Sequence, residues 1–264
     1  MQVGISQLIM PAGTTMAEFF RQSVAAGYEV AELCMRREGE LTPSTTPDQL
    51  QAIVNEARAA GIELVSMTHS HLTGNLLASG PEQQRGLDET AAGLEAASAL
   101  GLGCTLHTLG KLSADVCYDD AYANAVRSLS TLAATAERLK VKIAVEFVWN
   151  GFAFSPLEMK RLLDEVGSDH VGFYFDPGNM AVFQYPHHWV KILGRHTMMV
   201  HMKDFVGGPL NGRWPALTEG EVDYAAVNRE LRAIGYDGPL ISEVPPADAP
   251  LDKTAAAIRR IMTM

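Results

Sequence analysis

The most constraining feature of this sequence is a regular alternation of short apolar runs with longer amphipathic segments along the whole chain. Short runs rich in Val, Ile, Met and Phe are typical of buried strands, and the segments between them place apolar residues at helical spacing. Residues typical of helix ends lie at the boundaries of the helical segments. Examples are Thr46-Pro47 and Ser155-Pro156 at predicted helix starts and Gly27 at a predicted helix end. The pattern predicts strand–helix units repeated in series.

Eight such units are predicted. The strands cover residues 3–10, 29–35, 62–68, 104–109, 141–148, 171–175, 197–202 and 239–244. The helices cover residues 14–26, 46–61, 82–100, 119–140, a segment from 155, 186–193, 223–234 and 250–261. Eight alternations over about 250 residues fit a (β/α)₈ barrel better than an open doubly wound sheet, which usually has fewer strands and a phosphate-binding glycine loop. We therefore expect residues 1–264 to form a single α/β domain, a TIM barrel.

The charge balance limits the classes of partner. The chain has 21 Lys and Arg against 31 Asp and Glu, a net charge of −10, which disfavours nucleic acid or an anionic membrane as the main partner. The three cysteines, Cys34, Cys104 and Cys117, lack metal-finger spacing and are expected to be buried thiols in a reducing cytosol. Because no apolar run approaches the ~18 residues of a membrane span and no signal segment is evident, we expect a cytoplasmic protein that binds a small molecule.

Polar side chains stand at the ends of the last four predicted strands. They are Glu146, Asp176, His201 and Glu243, and active sites of TIM barrels form at this end of the strands. An ionised carboxylate among Val, Ile and Phe is costly without a compensating cation, and three carboxylates at one point repel one another. The pattern therefore predicts a divalent-metal site. Oxygen-rich ligation favours Mn²⁺, Mg²⁺ or Co²⁺, and Zn²⁺ remains compatible. Taken singly, each residue also fits a core histidine, an ion-pair partner or a helix cap.

Four stretches, Glu146, Asp176-Pro177-Gly178-Asn179, His201-Met202-Lys203-Asp204 and Glu243, together resemble the xylose isomerase-like TIM-barrel superfamily. This superfamily contains sugar and sugar-phosphate isomerases and epimerases, inosose dehydratases and endonuclease IV. The resemblance implies that Glu146, Asp176, His201 and Glu243 are metal ligands. It also implies that Glu146 and Glu243 are the catalytic bases, one removing a proton from the substrate carbon and the other returning one.

The resemblance implies a divalent-metal-dependent isomerase or epimerase, with Mn²⁺ the favoured ion. Its substrate would be a small ketose, sugar phosphate or hydroxy-keto acid that reacts through a metal-stabilised enediolate. A metal-dependent lyase or dehydratase acting on a keto-sugar would use the same intermediate. A non-catalytic sugar-binding barrel is a further alternative. Relatives are often dimers or tetramers, so a homo-oligomer is expected.

An abasic-site endonuclease is an alternative from a different class. His69 and His107, at the ends of the third and fourth strands, stand where that branch of the superfamily places zinc ligands. The acidic net charge opposes this function. So does Asn179, because many relatives have a histidine three residues after the strand-six aspartate, and asparagine lacks its metal-binding, proton-accepting ring. For an isomerase, His69, His107 and Asn179 are candidate substrate contacts, and both histidines equally fit structural hydrogen bonding.

Three further side chains are candidate substrate contacts with alternatives. Lys203 can reach the pocket or pair with its neighbour Asp204. Trp149 can stack on a sugar or form a buried lid. Arg213 lies in the long Gly- and Pro-rich segment 205–221, which we expect to cover a pocket, and it can clamp a phosphate or carboxylate or remain solvated.

A fourth polar residue, Glu32, lies inside the predicted second strand. It can orient a histidine from within the barrel. It can also pair with Arg36 or Arg37, which follow it in the sequence.

Overall fold

The computed structural model of the chain describes residues 1–69 and 74–264. Eight parallel strands form one closed barrel in sequence order, and β8 pairs with β1 to complete it. The strands are β1 (Val3–Ser6), β2 (Val30–Cys34), β3 (Glu63–Thr68), β4 (Cys104–His107), β5 (Lys142–Glu146), β6 (Val171–Phe175), β7 (Thr197–Met202) and β8 (Leu240–Ser242). The predicted (β/α)₈ barrel is confirmed.

Helices connect consecutive strands and surround the barrel. In the described ranges they are α1 (Met16–Ala26), α2 (Pro47–Ala60), α3 (Gly80–Ala99), α4 (Tyr118–Leu139), α5 (Pro156–Val166), α6 (Pro177–Ala181), α7 (Pro186–Leu193), α8 (Tyr224–Ala233) and α9 (Leu251–Ile261). Eight of these match the predicted helices within about two residues. The exception is α6, a single turn after β6 that the periodicity did not predict, because five residues are too few to show a helical repeat.

Four predicted strands end two or more residues earlier in the structure. The first stops at Ser6, and Gln7–Ile9 forms a 3₁₀ turn in which the Ser6 side chain accepts a hydrogen bond from the Leu8 N–H. The fourth ends at His107, the fifth at Glu146 and the eighth at Ser242. In each case apolar residues continue past the last paired residue, so hydropathy alone overestimates the strand length.

Local capping explains where the helices begin and end. At the start of α2, Thr46 and Gln49 form a capping box that satisfies two backbone N–H groups. Gly61 ends the same helix with φ 81°, a left-handed conformation that glycine adopts without a steric penalty. None of the helices in the described ranges is long and apolar enough to cross a membrane.

Alternate residues of the strands face two separate apolar clusters. In β5, Ile143 and Val145 pack with helix residues such as Leu129 in the large cluster between barrel and helices. Ala144 belongs instead to a smaller cluster whose members all come from strands, and which therefore fills the barrel interior. Burial of each Val, Leu or Ile side chain stabilises the folded state by roughly 1.5–3 kcal/mol. Because successive strand residues face opposite sides, the order of residues in each strand determines which side chains point into the barrel.

Candidate active site

The two-residue period of the strands carries four polar side chains to one end of the barrel interior. Ala144, Tyr174, Met199 and Ile241 are interior residues of β5, β6, β7 and β8. Two residues further along the chain, in the strand or directly after its last residue, stand Glu146, Asp176, His201 and Glu243. Because side chains two residues apart in a strand lie on the same face, all four point into the barrel at the C-terminal ends of its strands.

These four residues form a compact, buried cluster. One ligand atom from each lies within 4.8 Å of the others. The side chain of His201 is fully buried, and its Nδ1 is 3.3 Å from Glu146 Oε1 and 3.9 Å from Glu243 Oε1. Asp176 is fully buried as well. The structure therefore brings together all four residues that the sequence predicted as metal ligands.

A second group of buried polar side chains, centred on Glu32, holds the Nε2 side of the His201 ring. Glu32 lies inside β2 and is fully buried, and its Oε1 is 2.9 Å from His201 Nε2. The same carboxylate accepts hydrogen bonds from Ser6, Ser66 and Tyr174. Glu32 thus faces into the barrel and orients a histidine, which was one of the two predicted roles. Its burial is offset by four hydrogen bonds.

The donor set fits a divalent cation. Glu32 accepts a hydrogen bond from the Nε2–H of His201, which leaves Nδ1 of that ring facing the three carboxylates. Histidine ligands of metals are commonly oriented by a carboxylate on the second nitrogen in this way. Asp176 Oδ2 and Glu243 Oε2 are buried without a hydrogen-bond donor among the described residues, apart from ion contacts with Lys203. Such oxygens are suited to a cation.

The electrostatics of the cluster depend on cationic neighbours. Burial raises the pKa of Asp176 and raises that of Glu146 to about 7, where the charge of Glu243 adds to the effect. Burial also acts to raise the pKa of Glu243, but Lys203 and His201 outweigh it and hold that pKa at about 2. For His201, burial opposes the charged form, while Glu32 and Glu243 raise its pKa well above the usual value. A cation is therefore favoured at this point.

Lys203 points into the same site. It follows His201 by two residues, so it shares the interior face, and its Nζ contacts Glu243 and is 3.4 Å from Asp176 Oδ2. Gly178 permits this position, because a Cβ there would lie only 2.9 Å from the Lys203 side chain. The predicted alternative, an ion pair between Lys203 and Asp204, is wrong, since Lys203 Nζ contacts Asp176 and Glu243 whereas the Asp204 carboxylate accepts hydrogen bonds from backbone N–H groups.

Asn179 links the two sides of the cluster. Its Nδ2 donates to Glu146 Oε1 at 3.3 Å and to the Phe147 carbonyl at 3.2 Å, and its Oδ1 accepts from Lys203 Nζ at 3.3 Å. At the position where many superfamily members have histidine, this chain therefore has a residue that hydrogen-bonds one of the four cluster carboxylates.

Asp204 organises the long connection between β7 and α8. Its carboxylate accepts hydrogen bonds from four backbone N–H groups, those of Phe205, Thr218, Gly220 and Val222. The backbone of residues 205–221 is thereby fixed at both ends. This connection carries Trp214 to the mouth of the barrel, as expected for a segment that covers a pocket.

Two aromatic side chains stand over the cluster. Trp149 stacks on Trp214 with ring centroids 5.0 Å apart and planes inclined by 22°. The indole N–H of Trp149 donates to the Asn179 carbonyl, and Lys203 Nζ lies 5.2 Å from the Trp214 ring centroid. Trp149 remains 46% exposed, so it is not a buried lid.

Two cavities open above the cluster. We call the smaller one the inner chamber; it measures about 200 Å³ and is lined by Glu146, Asn179, Lys203, Glu243 and neighbouring residues. The larger, the outer chamber, measures about 340 Å³ and is bounded by the two tryptophans. The two share Leu8, Trp149, Lys203 and Glu243. A further cavity of about 560 Å³, near His196 and Tyr236, lies at the opposite end of the barrel, away from the cluster.

His69 and His107 do not join the cluster. His107 Nδ1 accepts a hydrogen bond from the Leu109 N–H and its Nε2 is 3.0 Å from Thr90 Oγ1, which is structural hydrogen bonding. His69 is 1% exposed, packs against His107 and Gly93, and its ring nitrogens have no partner among the described residues. Neither is among the described residues that line the two chambers.

Arg213 is exposed, and its backbone pairs with Val206. It is not among the described residues that line the chambers, so the structure does not place it at the cluster. The sequence did not lead us to Trp214. The signal that could have identified it is a large aromatic residue within a Gly- and Pro-rich connection. Nor did the sequence lead us to Leu8 and Ile9, which a 3₁₀ turn carries to the rim of the barrel.

A closed parallel barrel with a buried carboxylate–histidine cluster at the C-terminal ends of β5–β8 defines a TIM-barrel protein with a candidate metal centre. Residues 20–262 match the family model described as xylose isomerase-like TIM barrel. The chain belongs to this family. Comparison with curated protein sequences gives no significant match.

Solved structures with the same fold include several enzymes. D-Psicose 3-epimerase from Clostridium cellulolyticum H10 is 15% identical, with a TM-score of 0.81 and coverage of 99% of both chains. The 3-keto-D-glucoside 4-epimerase of E. coli is 17% identical, with a TM-score of 0.76 and full coverage of both chains. The IOLI protein, with a bound zinc atom, is 16% identical, with a TM-score of 0.78 and coverage of 100% of this chain and 97% of that one. At these identities the likeness establishes the fold.

Proposed function

We propose that this chain is a divalent-metal-dependent isomerase or epimerase of a small hydroxy-ketone, such as a ketose, a sugar phosphate or a hydroxy-keto acid. The observation that carries the proposal is the buried cluster of Glu146, Asp176, His201 and Glu243, whose ligand atoms lie within 4.8 Å of one another beside a small chamber. Structural neighbours that are named as sugar epimerases, and one that holds zinc, support it.

The four cluster residues would hold the ion, and Mn²⁺ is the one we favour because three of the four ligands are carboxylates. The bound cation would polarise the carbonyl and hydroxyl oxygens of the substrate and so acidify the C–H bond between them. Zn²⁺, Mg²⁺ and Co²⁺ are the alternatives, and metal analysis distinguishes them.

Glu146 and Glu243 are the proposed bases. Both line the inner chamber, where a substrate carbon can lie between them. One carboxylate removes a proton from that carbon, giving an enediolate, and the other returns a proton to the opposite face, which inverts the centre. Return of the proton to the neighbouring carbon would instead give an aldose–ketose isomerisation. Asn179 holds Glu146 and Lys203 holds Glu243, so each base has a hydrogen-bonding partner that orients it.

Lys203 is proposed to bind a substrate oxygen. Its ammonium group lies at the junction of the two chambers and beneath the Trp214 ring. Replacing it with methionine keeps the length of the side chain but removes the charged donor. We expect kcat/KM for Lys203→Met to fall about 10- to 150-fold, the range of a lost charged hydrogen bond, while the metal content stays at the wild-type level. An unchanged kcat/KM would exclude this role.

The experiment that tests the function combines metal analysis with product analysis. The purified protein is expected to contain one divalent ion per chain and to convert at least one member of a ketose panel into an epimer or isomer. Loss of a hydroxyl group without isomer formation would assign the lyase or dehydratase reaction instead. A protein that is active after complete removal of metal would overturn the proposal.

A further inference from the structure

The outer chamber differs chemically from the inner one. Its described lining is mainly apolar, with Leu8, Ile9, Trp149, Trp214, Val244 and Pro245 as its principal walls. The charged groups in that lining are Lys203, Glu243 and Asp248, and two of these face the inner chamber as well. Among the described lining residues, no Ser, Thr, Asn or Gln side chain is present to receive hydroxyl groups.

The two tryptophans add large aromatic surfaces to the wall of the outer chamber. Trp149 donates its indole N–H to the Asn179 carbonyl, so this hydrogen bond is satisfied within the protein. The two tryptophan rings stack on each other. The Asp204 carboxylate accepts hydrogen bonds from backbone N–H groups of the connection that carries Trp214, and so fixes that connection. Exposed apolar surface in a concave site of this kind is characteristic of ligand recognition.

The two chambers adjoin each other. They share Leu8, Trp149, Lys203 and Glu243, so a molecule whose reacting end lies beside Glu146 in the inner chamber extends into the outer one. A free ketose would place its distal hydroxyl groups against mainly apolar walls, where Asp248 is the charged group not shared with the inner chamber, so most of these hydroxyl groups would lack a side-chain partner. An apolar substituent would gain buried area instead.

We propose that the substrate is a keto-sugar or related hydroxy-ketone that carries an aryl substituent, with the aryl group bound in the outer chamber against Trp214. This inference rests on the proposed function for the identity of the reacting end. The aryl subsite itself depends only on the walls of the outer chamber, so it can be tested without turnover.

The test is a calorimetric comparison of two probes, phenyl β-D-glucopyranoside and methyl β-D-glucopyranoside, on the purified full-length protein. We expect the phenyl glycoside to bind at least about tenfold more tightly, because burial of a phenyl ring favours the complex. In Trp214→Ala the ratio of the two affinities should fall to near one, while Trp214→Phe should retain most of it. Ile9→Ala, on a different segment of the wall, should reduce the ratio by a smaller factor.

Leu210→Ala is the matched control, since Leu210 belongs to the same connection as Trp214 but is fully exposed. Its ratio should equal that of the wild type. Equal affinities for the two probes, absence of phenyl glycoside binding, or a ratio that survives in both Trp214→Ala and Ile9→Ala would overturn the aryl subsite. A high ratio in a protein that turns over neither a free ketose nor an aryl-substituted keto-sugar would instead retain the subsite and reject the isomerase proposal.

Discussion

Glu32 and His201 are joined through the barrel interior, with Glu32 Oε1 2.9 Å from His201 Nε2 across a separation of 169 residues in sequence. Both side chains are fully buried. Since a carboxylate only accepts hydrogen bonds when ionised, this contact directs Nδ1 of the imidazole toward the other three residues of the cluster. Glu32 therefore determines which nitrogen of His201 is offered to a cation.

Replacing Glu32 with glutamine should weaken metal binding while retaining the fold. Glutamine has nearly the same shape, but it removes the negative charge behind His201 and places an amide donor beside the hydroxyl groups of Ser66 and Tyr174. We expect the Kd for Mn²⁺ to rise about 10- to 100-fold, as is usual for partners that orient a metal ligand. Calorimetric titration of the metal-free protein measures this. Glu63→Gln, on the exposed first residue of β3, is the control, and an unchanged Kd in Glu32→Gln would contradict the prediction.

Replacing Asp176 with asparagine should separate metal binding from stability. Asp176 caps α6 by accepting from the Asn179 N–H, and asparagine caps helices equally well. The substitution also removes a buried negative charge close to Glu146 and Glu243, so the metal-free variant should be at least as stable as the wild type. Saturation with Mn²⁺ at about 100 times its Kd should stabilise the wild type by about 2.7 kcal/mol, and the same Mn²⁺ concentration should stabilise the variant far less.

Thermal unfolding with and without Mn²⁺ gives both quantities. Asp119→Asn, in the exposed first turn of α4, should behave like the wild type in both conditions. If Asp176→Asn gained as much stability from Mn²⁺ as the wild type, Asp176 would not be a ligand.

The position of the cluster was predictable because it depends on two simple regularities, the strand–helix alternation and the period of two within strands. The same period extends from His201 to Lys203, so the inward direction of the lysine follows once His201 is known to be interior. The short helix α6 and the contact of Trp214 with Trp149 were not predictable in this way. Both depend on the path of irregular backbone, which hydropathy does not encode.

His69 illustrates a different limit. Its place at the end of β3 was correctly predicted, and the sequence left its environment open. The ring is enclosed by Gly93 and His107, which come from α3 and β4 and are 24 and 38 residues away in sequence. Whether a strand-end histidine meets the pocket or the protein interior depends on such packing, so substrate contact and structural burial could not be distinguished from the sequence alone.

Replacing Asp204 with asparagine should loosen the connection between β7 and α8. The carboxylate accepts four backbone N–H groups, whereas asparagine offers one acceptor oxygen and turns an NH₂ group toward the remaining donors. We expect a loss of about 1–3 kcal/mol in the free energy of unfolding and faster proteolytic cleavage within residues 205–221. Urea unfolding and limited proteolysis with mass spectrometry measure the two effects. Asp237→Asn, at an exposed position, is the control. If residues 205–221 resisted proteolysis in Asp204→Asn as well as they do in the wild type, the Asp204 carboxylate would not hold this connection in place.

Replacing His69 with leucine should reduce the loss of stability at acid pH. Burial lowers the pKa of His69 from 6.5 to about 4. Below pH 6.5 the unfolded chain therefore binds a proton that the folded chain does not bind until the pH approaches 4. The folded state loses stability as the pH falls through this window, and between pH 7 and pH 5 the loss attributable to His69 is about 2 kcal/mol.

Leucine cannot be protonated, so His69→Leu should lose about 2 kcal/mol less than the wild type between these two pH values. Urea unfolding of both proteins at pH 7 and pH 5 gives the difference directly. Burial also lowers the pKa of His107, but that residue is present in both proteins and its contribution largely cancels in the comparison. Equal losses in the two proteins would mean that His69 gains a proton in the folded state, and that its ring is open to water or to a ligand rather than enclosed between α3 and β4.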